Sequence, residues 1–115
     1  MKLYMDWKGM NQKDNSIINK VKQTICSLVP DADIVLYGSR AREDAKFSSD
    51  WDFLILVNQP LTQKMVVNIR SCLYDLELQN DTDLSSIIRT KGEWNSPKYA
   101  ILPFKQEVDE EGILL

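Results

Sequence analysis

The sequence predicts an α/β (α+β) fold in which a small mixed β-sheet is backed by helices on one side, and three observations lead there. Two long stretches repeat their apolar residues at helical spacing, short apolar runs between them have strand character, and a Gly-Ser turn separates two of those runs. With 115 residues the chain is expected to form a single domain with a real core.

Residues 1–10 hold Leu3, Tyr4, Met5 and Trp7 without a clear period and are expected to form an N-terminal arm, loose or docked. From Asp14 to Val29, Ile17, Ile18, Val21, Ile25 and Leu28 recur as on an amphipathic helix, with Asp14, Asn15 or Ser16 as its cap and Pro30 beyond its end. Asp33-Ile34-Val35-Leu36-Tyr37 is the first strand, stopped by Gly38, and Arg40 to Asp44 is a short helical turn whose N-terminus faces Ser39. Phe53 to Val57 is continuously apolar, as a central strand buried on both faces would be, and Asn58-Gln59-Pro60 ends it. Thr62 caps a second long helix in which Met65, Ile69, Leu73 and Leu76 recur, with its end near Leu78. After the Asn80-Asp81 turn, Asp83 to Arg89 is the next strand, with Asp83, Ser85 and Ile87 on one face. Beyond the Ser96-Pro97 break, Tyr99 to Asp109 is a third helix, closed near Gly112 ahead of the apolar tail Ile113-Leu114-Leu115.

Composition narrows the chemistry. With 14 basic and 17 acidic side chains, the overall field does not recruit nucleic acid, so a bulk DNA- or RNA-binding role is disfavoured. Histidine is absent, which removes His-based general bases, Ser-His-Asp and Cys-His nucleophile systems and the usual zinc sites. Cys26 and Cys72 fall within helical apolar patterns and read as reduced core residues. No apolar leader and no run of membrane-spanning length occur, so a soluble, cytoplasmic protein with no membrane role is expected.

The chemical information is densest in Tyr37-Gly38-Ser39-Arg40-Ala41-Arg42 and in Ser49-Asp50-Trp51-Asp52 at the mouth of the central strand. Glycine lets the main chain approach phosphate oxygens closely, and the N–H groups and hydroxyl of a Gly38-Ser39 turn suit a polyphosphate. Asp50 and Asp52 share a strand face, their Cα atoms about 6–7 Å apart. That spacing suits two divalent cations about 3.5–4 Å apart, the arrangement used for in-line displacement at phosphorus. Hard oxygen donors without His or Cys favour Mg²⁺ or Mn²⁺. Trp51 must point to the opposite face and is assigned to packing, Ser49 orients Asp50 or caps the bend, and Arg40 and Arg42 either meet phosphate or are solvated surface charges. Lys91 and Trp94 read as a loop lysine and a packed tryptophan.

Gly38-Ser39, a spacer, Asp50-Trp51-Asp52 and a further Asp on a later strand together resemble the minimal nucleotidyltransferases of the DNA polymerase β superfamily, over nearly the whole chain. The resemblance implies a polymerase-β-like fold and Mg²⁺-dependent transfer of a nucleoside monophosphate, AMP from ATP foremost, to a hydroxyl. It implies that Asp50 and Asp52 bridge two metal ions, that Gly38 and Ser39 cradle the β- and γ-phosphates, and that Asp83, with Asp81 as its nearest rival, completes the site and removes the acceptor's proton. Glu43 stands where the family often carries glycine and adds a negative charge near the phosphates. The closing Glu110-Glu111-Gly112-Ile113-Leu114-Leu115 is similar to the tail of short bacterial members encoded beside a helical HEPN partner, in which the nucleotidyltransferase is an antitoxin that adenylylates its toxin. A domain of this size holds a triphosphate and two metals with little left to enclose an acceptor, so a HEPN-type partner or a second protomer is expected to complete the cleft. An aminoglycoside-type transferase and a non-catalytic module acting by contact are the competing expectations. Polymerisation of nucleic acid ranks last, for want of a basic groove and stacking platforms.

Overall fold

The computed structural model of the protein describes residues 1–7, 12–42 and 50–115, with the side chains of 12–14 outside that description. Its elements run β1 (Lys2–Leu3), a 3₁₀ turn (Tyr4–Asp6), α1 (Gln12–Leu28), β2 (Asp33–Tyr37), β3 (Trp51–Val57), α2 (Gln63–Asn80), β4 (Leu84–Thr90), α3 (Lys91–Trp94), α4 (Pro97–Ala100), α5 (Pro103–Glu111) and β5 (Ile113–Leu114). Among the described residues the strands form one mixed sheet in the order β1-β5-β2-β3-β4. β2 runs antiparallel to β3, and β3 parallel to β4, with α2 carrying the chain between the last two.

Strand alternation sends the side chains of β3 into two cores. Phe53, Ile55 and Val57 pack with Ile18, Val21 and Ile25 of α1 and Ile69 and Leu73 of α2. Leu54 and Leu56 pack on the other side with Val35, with Trp94 of α3 and with Val108 of α5. The expectation of helices on one side is therefore corrected: α3 and α5 cover part of the second face, because a strand apolar at every position must be covered twice.

Local chemistry fixes the element ends. The Thr62 hydroxyl accepts the Met65 N–H at 3.1 Å and caps α2. α1 begins at Gln12, so Asp14, Asn15 and Ser16 lie within it and do not cap it. The helix expected over Tyr99 to Asp109 is two helices, since Pro97 and Pro103 each open a new one and a proline has no N–H to continue an earlier helix. Residues 91–94, read as loop, close a helical turn on the Thr90 hydroxyl, which accepts the Glu93 N–H at 3.1 Å.

The two ends of the chain are strands. β5 pairs parallel to β1 and antiparallel to β2, with Ile113 opposite Leu36. The apolar tail is thus part of the sheet, and the N-terminal arm is docked, with Trp7 buried in the larger core. Cys26 and Cys72 are free thiols, only partly buried.

Candidate active site

β2 ends at Tyr37, and Gly38 turns the chain with φ at +79°, in the left-handed region that favours glycine. The Arg42 N–H donates to the Gly38 carbonyl at 3.1 Å, closing a turn that buries Ala41 in the larger core. Ser39 is half-buried within that turn. Glu43 and Ser49, and the turn expected as far as Asp44, extend outside the described residues.

Asp50 is exposed just ahead of β3, and Asp52 is its second residue, half-buried. Asp52 lies between Tyr37 of β2 and Ser85 of β4 in the sheet register. Its carboxylate rests against Gly38, where a Cβ would stand 2.5 Å from Asp52 Oδ2. Glycine at this position is thus required by the neighbouring carboxylate.

Trp51 points to the other face, buried and stacked on Phe53 with ring centroids 6.3 Å apart. Arg40 goes with it: its guanidinium lies 4.5 Å above the Trp51 ring, on the Trp51 side of β3. Arg42 extends instead toward α5, with Nη1 at 3.5 Å from Glu107 and 3.2 Å from Glu111. It stays close enough to Asp52 to be felt there.

Burial foremost, and the Asp50 charge second, raise the pKa of Asp52 above its ordinary value, with Arg42 pulling the other way. Burial also pushes the Tyr37 phenol up to about 12, helped by the charges of Asp52 and Glu107, so it remains a neutral hydroxyl. Its ring is held edge-on to Phe104 of α5 at 5.3 Å.

Asp83 directly precedes β4, and its carbonyl accepts the Trp51 N–H at 3.0 Å. Since Trp51 pairs with Leu84, the register sets Asp83 beside Asp50, on the same strand face as Ser85. Asp81 caps α2 through its backbone in a left-handed conformation with φ at 48°, its N–H donating to the Glu77 carbonyl. Lys91 reaches the Asp31 carbonyl at 2.9 Å and Asp33 at 3.5 Å, while Trp94 is buried.

Among the described residues no three acidic or thiol side chains converge closely enough to hold a metal by themselves. The donor set still fits a hard divalent cation. Burial first, and the Asp50 charge after it, make the Asp52 carboxylate resist ionisation, which a cation would relieve. Mg²⁺ characteristically takes one or two carboxylates, completing its shell with phosphate oxygens and water. Sequence gives Tyr37, Ser85, Glu107 and Glu111 no role in the site; finding their places around it requires the strand register and the position of α5.

A family model described as nucleotidyltransferase domain matches residues 18–111, which takes in both strands of the site, the Gly38 turn and α5. No curated protein matches the chain.

Proposed function

Because the chain belongs to the nucleotidyltransferase domain family, we propose that it transfers a nucleoside monophosphate, AMP from ATP, to a hydroxyl of a partner protein, with Mg²⁺ as cofactor. The carrying observation is the Asp50–Asp52 pair at the open mouth of β3, with Asp52 lodged against Gly38. The cation such a pair would hold neutralises phosphate charge and stabilises the leaving pyrophosphate. Asp50 and Asp52 would hold it, with Asp83 beside them, and the N–H groups of the Gly38 turn other than that of Arg42, which is spent on the Gly38 carbonyl, would be offered to the triphosphate. The acceptor oxygen attacks the α-phosphorus as the bond to pyrophosphate breaks, and the hydroxyl proton passes to Asp83. Tyr37, held neutral, keeps its O–H as a donor beside Asp52.

The exposure of Asp50 supports a macromolecular acceptor, since a carboxylate open to solvent leaves room for a protein surface to close the cleft. A HEPN-type toxin encoded beside this chain is the partner proposed, with the chain as its antitoxin. The test is co-expression with the neighbouring reading frame and intact-mass analysis of that product. One AMP mass added by the wild type and absent with Asp50→Ala/Asp52→Ala is the expected result. An unmodified partner that co-purifies equally with both forms would show a module acting by contact.

A further inference from the structure

Helix α2 is apolar on two sides. Ile69, Leu73 and Leu76 face the core, yet Val67, Tyr74 and Leu78 are 55%, 58% and 67% exposed. With exposed Ser71, these positions follow a 4-3-4 spacing, the seam of an antiparallel helix pair, nearly opposite the buried side. Arg70 and Glu77 lie seven residues apart on one flank of that seam, lining a groove of about 640 Å³ between α2 and the edge strand β4.

We infer that this face is where two copies of the chain associate, α2 against α2 and antiparallel about a twofold axis between Cys72 and Leu73. The pattern is self-complementary. Setting Val67 against Leu78 of the second copy sets Ser71 against Tyr74, which makes the seam apolar except at the small serines. The same register brings Arg70 of each copy to Glu77 of the other, so the flank carries two opposite-charge pairs by symmetry. Glu77 lines that groove, and its Oε2 accepts the Leu84 N–H at 3.2 Å, which holds the carboxylate on this flank. α2 has 18 residues, about 27 Å of helix. One such face falls short of the roughly 800 Å² per partner of a standard interface, so the dimer is a concentration-dependent one.

Sedimentation equilibrium of the full chain without nucleotide, from micromolar to millimolar protein, tests the inference. The expected mass climbs from monomer toward dimer, and Tyr74→Glu and Arg70→Glu, both at exposed positions, weaken association at least tenfold while their melting curves stay those of the wild type. The register is tested by oxidising cysteine variants in a background with Cys26 and Cys72 changed to Ala. Val67→Cys/Leu78→Cys forms a covalent dimer, whereas Val67→Cys alone does not. A wild type that remains monomeric throughout, or a dimer that Tyr74→Glu leaves intact, overturns the inference. Cross-linking by Val67→Cys alone overturns the antiparallel register.

Discussion

A methyl group at position 38 would stand 2.5 Å from Asp52 Oδ2, on a backbone whose φ of +79° already opposes a side chain. Gly38→Ala should therefore lower stability by about 1–2 kcal/mol from the backbone alone. It should also lower transfer by on the order of 100-fold, because Asp52 must shift. Urea unfolding and single-turnover rates measure the two separately, and a loss of stability with an unchanged rate for the folded protein would mean that Gly38 serves only the turn. Asp52 itself opposes the fold it serves. Its raised pKa means that the folded chain keeps a proton the unfolded chain has released, so stability falls as pH rises from the ordinary 3.8 through the folded value. Asp52→Asn should melt higher than the wild type at neutral pH, and the advantage should vanish on acidification below the carboxylate range. An advantage that persists in acid would have another cause.

Among the elements, α2 and the strand after it are joined through two aspartates two residues apart, to which the proposed function gives different work. Asp81 caps α2 with φ at 48°, a conformation that costs a side chain about 1–2 kcal/mol. Glycine removes that cost but returns roughly 0.5–1 kcal/mol in unfolded-state entropy. Asp81→Gly should thus raise stability slightly and leave transfer unchanged, while Asp83→Asn should leave stability unchanged and lower transfer by about 100-fold or more. Thermal melts and transfer assays on the two variants would reverse the assignment if Asp81→Gly were the inactive one. The elements with strong periodicity were legible from sequence. α1, α2 and β3 carry their own pattern, and Gly38, Asp50 and Asp52 are close enough in the chain to be read together. β1 and β5 carry none: two-residue strands exist only because the sheet pairs them. The break ahead of Pro103 was readable from proline alone, whereas Glu107 and Glu111 at the end of the Arg42 side chain were not, since they lie on α5, far along the sequence.

Over the whole molecule, the chain's ends meet in the sheet that bears the site. β5 stands between β1 and β2, the Lys2 N–H donates to the Gly112 carbonyl at 2.9 Å, and the Leu115 N–H donates to the Ile34 carbonyl at 2.9 Å. Gly112 admits this closure because a Cβ there would meet the Val108 carbonyl at 2.6 Å and Val35 at 2.8 Å. Ile113 is fully buried in the larger core, so Ile113→Ala should cost about 2–4 kcal/mol in denaturant unfolding. A loss well under 1 kcal/mol would mean that β5 is dispensable to the fold.

The Arg40–Trp51–Phe53 stack lies directly behind the carboxylates, with the Trp51 indole covered by a guanidinium from the Gly38 turn. A rearrangement of that turn around a triphosphate would lift a cation from a buried indole, so the intrinsic fluorescence of this one tryptophan registers the occupancy of the opposite face. Trp7 and Trp94 are buried elsewhere, and with phenylalanine in their places the protein becomes its own optical probe of nucleotide arrival, readable in real time without a label.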